Sequence, residues 1–190
     1  MFHRNHSRAL TQIDPSFVSI EEYLGRNTQQ YYDVLLDVGK GRWNPERDAK
    51  PWIRFCLRAH YIQATTIKRR LRVMQRVWEA LEIEIKNREL PERAIPALAE
   101  AAWGLRIRNA GYRRAADVSS QVASRDLTSL VKVGLFQMKG GGRGAYYVAS
   151  DVLRAIYSRC AEPQRVEDPF EILKARGSPL PLEGNVLSTA

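Results

Sequence analysis

A mainly helical protein carrying one two-stranded hairpin is what this sequence predicts. Three observations lead there. Apolar residues recur at three- and four-residue spacing through most of residues 20–132. Strand-like runs are confined to Leu135-Phe136-Gln137-Met138 and Ala145-Tyr146-Tyr147-Val148. Between them lies Lys139-Gly140-Gly141-Gly142-Arg143-Gly144, a loop composition.

Residues 1–15 are polar and basic and close on Asp14-Pro15, which predicts a flexible start. Ser19-Ile20-Glu21-Glu22 fits a capping box, with the Ser19 hydroxyl on the Glu22 amide and the Glu22 carboxylate reaching back. Ile20, Tyr23, Leu24, Tyr31, Val34 and Leu35 then give one helix that stops near Gly39-Lys40-Gly41. A turn around Pro45 leads to a long helix, Pro51 to Lys86, with room for a kink near Thr65-Thr66. Its apolar stripe takes in Phe55, Ala59, Ile62, Met74, Val77, Leu81 and Ile85, and Trp52, Phe55 and Trp78 read as core. His60 lies beside that stripe and reads as a buried, hydrogen-bonded histidine; no second ligand stands at helical spacing to make it a metal site. The opposite face carries Arg58, Lys68, Arg69, Arg70, Arg72 and Arg76. Such a row is ordinarily a solvated face, the alternative being a surface for acidic protein or DNA backbone.

Leu90-Pro91 ends the long helix, and residues 91–160 read as a separate small domain. Its first helix begins near Glu92 with Pro96 in the opening turn, where a missing amide does least harm. Asn109 is placed to cap Ala110–Ala116, Asp117-Val118-Ser119 makes a tight turn, and Ser119–Lys132 forms the next helix with Ala123, Leu127, Leu130 and Val131 inward. Gly134 ends it with positive φ, the hairpin follows, and Asp151 caps a closing helix through Ile156. Residues 161–190 are Pro-rich and read as a largely disordered tail with a short helical piece around Phe170–Ala175.

Charge singles out one stretch. The chain carries 30 Lys+Arg against 21 Asp+Glu, a net +9, and Leu105–Gly144 alone holds eight basic and two acidic residues, a net +6. Such a balance favours polyanionic partners. Helix, turn, helix and hairpin in that order is the winged helix-turn-helix plan. On this reading Ser120, Gln121, Ser124, Arg125 and Thr128 face base edges or adjacent phosphates, and Arg113, Arg114, Lys132, Lys139 and Arg143 meet phosphates. Duplex DNA is the expected partner, with protein docking the rival. The glycines of 140–144 join two strands, so they do not read as a nucleotide-binding turn, which opens a helix. Cys56 and Cys160 are far apart and outside any C-x-x-C pair, as expected of reduced thiols in a cytoplasmic protein. No apolar run is long enough to span a membrane.

Residues 17–85, above all "PSFVSIEEYLGRNTQQYYDVLL" and "KPWIRFCLRAHYIQATTIKRR", resemble the C-terminal helices of Fic-family proteins. "SRDLTSLVKVGLF" and "GRGAYYV" extend the likeness into the winged helix that many bacterial members carry. The resemblance implies Fic-like C-terminal helices over 16–90 followed by that domain. Fic enzymes transfer AMP from ATP to a protein hydroxyl through H-P-F-x-x-G-N-G-R. That motif is missing here: His3, His6 and His60 do not precede Pro-Phe, and no Gly-Asn-Gly occurs. The expectation is a Fic-related, truncated or regulatory chain with no catalytic residue and no metal. ATP enters only if the catalytic half comes from another chain or from a start further upstream, and Fic-like helices without that half are expected to take a protein partner or a second copy.

Overall fold

The computed structural model describes residues 19–42 and 45–177, apart from the side chain of Arg143. The expected flexible start at 1–15 and the last part of the tail, 178–190, lie outside the described residues. The helices are α1 (Glu21–Arg26), α2 (Thr28–Gly39), α3 (Lys50–Asn87), α4 (Ile95–Ala102), α5 (Asn109–Ala115), α6 (Ser120–Lys132), α7 (Asp151–Cys160) and α8 (Pro169–Ala175). Among the described residues the only sheet is the antiparallel pair β1 (Phe136–Lys139) and β2 (Tyr146–Ala149). The fold class is therefore mainly helical with one hairpin, as the sequence indicates.

The chain divides into two compact units. One holds residues 19–42, 45–70 and 163–177, and the other is Leu71–Glu162. The division falls inside α3, which is continuous and uninterrupted at Thr65-Thr66, rather than at Leu90-Pro91.

In the first unit the expected helix from Ile20 to Gly39 is two helices. Asn27 leaves helical geometry (φ −125°, ψ 34°), and its side-chain amide donates to the Tyr23 carbonyl at 2.8 Å. A side chain that takes a helix carbonyl in this way offers the backbone an exit. Ser19 does not form the expected capping box: its Oγ accepts from the Glu21 amide at 3.1 Å. Glu22 instead accepts from both terminal nitrogens of Arg70, at 2.6 and 2.9 Å, and from Gln63 at 3.0 Å. Those bonds, Arg70 first, draw its carboxyl down to about 2 against the opposing effect of burial. Tyr23, Phe55 and Ala59 are buried, with Tyr31, Val34, Trp52 and Ile62 packed around them. Lys40 ends α2 in the left-handed region at φ 51°.

Residues 163–177 hold the short helix expected near Phe170–Ala175, and the segment, read otherwise as largely disordered, is fastened to α3. Asp168 caps α8 by accepting from the Phe170 amide at 2.9 Å, and its other oxygen lies 2.7 Å from Arg58 Nε. The guanidinium carbons of Arg54 and Arg58 stand 4.9 and 5.6 Å from the Phe170 ring centre. Arg69 donates to the Pro163 carbonyl at 2.8 Å.

The second unit holds the larger core. Val73, Val77, Leu81 and Ile85 descend α3 at four-residue intervals and pack with Leu98, Leu127, Leu130, Leu135, Phe136, Leu153 and Ile156. One residue further round an α-helix is a turn of about 100°, and that angle corrects two expectations. His60, next to buried Ala59, is exposed; Trp78, next to buried Val77, is 39% exposed and donates to Glu82 at 3.0 Å. Both ride the flank of the stripe rather than its floor. Cys56 and Cys160 are half-buried free thiols.

Candidate nucleic-acid interface

The stretch from Leu105 to Gly144 is built by its helix ends. Asp117 adopts φ 51°, and the Val118 amide closes on the Arg113 carbonyl at 3.1 Å, the closure of a Schellman turn at the end of α5. Ser119 caps α6 by accepting from the Val122 amide at 3.3 Å. α6 ends in the same way as α5: Gly134 has φ 75°, its amide meets the Val131 carbonyl at 3.0 Å, and Leu135 meets Leu130 at 2.9 Å. Leu130 and Leu135 are both fully buried, which supplies the apolar contact such a turn carries. Asn109 is not the expected cap of α5. Arg108 holds that position in extended geometry, and the Asn109 side-chain amide donates to Ser124 Oγ on α6 at 3.0 Å.

Inside the angle between α5 and α6 lies a cluster whose pairing was not expected from the sequence. Asp126 is buried, and its carboxylate accepts from Arg93 at 2.7 and 3.0 Å and from the Tyr112 hydroxyl at 2.9 Å. Burial alone would push this carboxyl up; the bonds from Arg93 and Tyr112 outweigh it and hold the carboxyl below its ordinary value. The Tyr112 hydroxyl is pushed up, by burial first and by Asp126 second. The signal was present: Asp126 stands between Ala123 and Leu130 on the inward stripe, where a carboxylate needs a partner.

The outward face is left open. Ser120, Gln121, Ser124, Arg125, Thr128 and Lys132 occupy two adjacent rows of α6, and all six are exposed. Arg113 and Arg114 are exposed in the last turn of α5, and Lys139 is exposed at the end of β1. No ion pair holds Arg113, Arg114, Arg125, Lys132 or Lys139 among the described residues. Arg143 belongs to the 3-10 turn Gly142–Gly144 between the strands; its side chain lies outside the description.

The hairpin sits one residue later than expected. Phe136 pairs with Ala149, Gln137 with Val148, Met138 with Tyr147 and Lys139 with Tyr146. Gly140 is required in the loop: its φ is 72°, and a Cβ there would stand 3.1 Å from the Gly144 carbonyl oxygen. A third backbone segment joins β2, unforeseen from the sequence. Ile107 and Tyr147 exchange both amide–carbonyl bonds, at 2.9 and 2.8 Å. After the hairpin, Ser150 rather than Asp151 caps α7, accepting from Leu153 at 3.2 Å, and the helix runs past Ile156 to Cys160.

Comparison with protein-family models, curated proteins and solved structures finds no match to this chain. Among the described residues no helix is long and apolar enough to cross a membrane, and no group of three His, Cys, Asp or Glu is placed to hold a metal ion.

Proposed function

We infer that Leu71–Glu162 is a winged helix-turn-helix module that binds duplex DNA, with α6 as its groove-facing helix and the hairpin as its wing. One observation carries the reading: short hydroxyls, an amide and two cations share an exposed face of α6, and its cations have no carboxylate partner among the described residues. A face of that kind suits base edges at its centre and phosphates at its flanks. α5 and α6, locked by Asp126, supply the fixed angle such docking needs.

The test is fluorescence anisotropy with a labelled random-sequence duplex over a range of salt. Binding whose logarithm falls linearly with log salt is expected, with Arg143→Ala lowering the slope by about one. Gln121→Ala and Ser124→Ala should alter sequence preference instead. A protein that does not bind duplex at low salt sinks the reading. The Fic-like ancestry of the first unit, and AMP transfer with a catalytic half from another chain, rest on the sequence alone; incubation with labelled ATP and a full-length relative tests them.

A further inference from the structure

The outer face of the sheet is the feature that the duplex reading leaves unused. Side chains alternate between the faces of a strand. Tyr147 packs on the core with its ring 6.1 Å from Phe136, so Tyr146 and Val148 project the other way. The register puts Lys139 beside Tyr146 and Gln137 beside Val148 on that same face. On the far side of β2, Ile107 is buried and bonded to Tyr147, which sends its neighbours Arg106 and Arg108 outward. The Arg106 guanidinium lies 4.9 Å from the centre of the Tyr146 ring. Three cations on the two backbone segments that flank β2 thus share a face with one aromatic ring, and no carboxylate pairs with any of them among the described residues.

The chemistry points to phosphate. A guanidinium held over a ring keeps its outer edge of donors free and gives up little rotamer freedom when it grips a diester. Lysine is depleted at the core of protein-docking patches; here Lys139 stands exposed beside Tyr146, and Val148 on the same strand face is half-buried. We propose that this face is a second contact for the phosphodiester backbone, gripping nucleic acid beyond the segment met by α6, with Arg106 braced on Tyr146 as its anchor. The proposal rests on the duplex reading above and adds Arg106, Arg108 and Tyr146 to it.

The experiment measures anisotropy of a labelled 30-base-pair random duplex (a length of about three helical turns) against the whole protein. The triple variant Arg106→Gln, Arg108→Gln, Lys139→Gln is compared with Arg125→Gln on α6, and thermal unfolding confirms that each is folded. The triple variant should bind about 10–30-fold more weakly, with a salt slope lower by two to three and sequence preference intact. Tyr146→Ala should lose about threefold and Tyr146→Phe should behave as wild type, since the ring and not the hydroxyl braces Arg106. Wild-type affinity and slope in the triple variant, with Arg125→Gln impaired, would overturn the sheet contact and leave the duplex reading standing. Loss in the triple variant with Arg125→Gln unimpaired keeps the sheet contact and removes α6. Polyglutamate that displaces the duplex as well as unlabelled DNA does, charge for charge, shows that the face reads charge and not phosphodiester, and overturns the proposal. No binding by wild type at low salt removes both readings.

Discussion

Two basic regions of this chain look alike in sequence and differ in structure. α3 carries Arg58, Arg69, Arg70, Arg72 and Arg76 within five helical turns; the stretch from Arg106 to Lys139 carries Arg108, Arg113, Arg114, Arg125 and Lys132 between those ends. These five α3 arginines are engaged. Arg58 faces Asp168, Arg69 the Pro163 carbonyl and Arg70 Glu22, while Arg72 and Arg76 share Glu162. The second set has no such partners among the described residues, and its one well-buried carboxylate, Asp126, is committed to Arg93 and Tyr112. A row of arginines therefore means opposite things according to whether carboxylates elsewhere in the chain reach it. The first row fastens the chain to itself, and the second is free to attract a polyanion.

The largest test of that contrast is Asp126→Ala. It strands the Tyr112 hydroxyl inside the unit and removes both acceptors of Arg93, so unfolding in urea should cost about 3 kcal/mol less than in wild type. A loss under 1 kcal/mol would show that the clamp is dispensable and that the angle between α5 and α6 is set by packing alone. Next in size is the unpaired set. Arg113→Gln, Arg114→Gln and Arg125→Gln together should weaken duplex binding about 100-fold and lower the salt slope by nearly three, while stability moves by less than about 0.5 kcal/mol. A triple variant that unfolds more easily and binds as before would reverse the assignment of the two regions.

Much of the second unit was legible because local rules and packing agree there. Gly134 sits where a helix needs a left-handed residue, and Ala123, Leu127 and Leu130 keep the helical period through α6. What was not legible required long-range pairing. Glu162 lies about ninety positions from Arg72, and Asp168 is further still from Arg58; no periodicity links them. The tail therefore read as Pro-rich and largely disordered around one short helix near Phe170–Ala175; that helix forms, and the 163–177 part is pinned by arginines that read as a solvated face. Local competition explains the smaller differences. Asn27 and Ser150 take bonds that pattern alone assigned to an uninterrupted helix and to Asp151. The α6 face was read from the sequence with its six residues exposed as expected, whereas the Arg106–Tyr146 pair depends on the Ile107 bridge, which a single residue cannot announce.

The paired row yields two smaller effects. Arg72→Gln with Arg76→Gln should leave duplex affinity within about twofold and cost about 1 kcal/mol of stability, because both guanidinium groups are about half exposed and their attraction to Glu162 is screened. A tenfold loss of DNA affinity in this variant would mean that α3 also faces the polyanion.

Glu22 sharpens the contrast through pH. Its carboxyl is drawn from 4.5 down to about 2 by Arg70 first and Gln63 second. A depressed carboxyl contributes stability that is fully present above its unfolded value and is lost as pH falls through the folded one. The contribution of Glu22 should therefore be constant from neutral pH to near 5 and then decline between about pH 4.5 and pH 2. Its side chain is one-third exposed and Arg70 more so, which limits the effect to roughly 1 kcal/mol or less. Glu22→Gln should melt slightly below wild type at pH 7 and coincide with it only below about pH 2, read by helical circular dichroism. A variant equally destabilised at both values would show that Glu22 acts by hydrogen bonding through Gln63 rather than by charge, and would take one arginine out of the paired row.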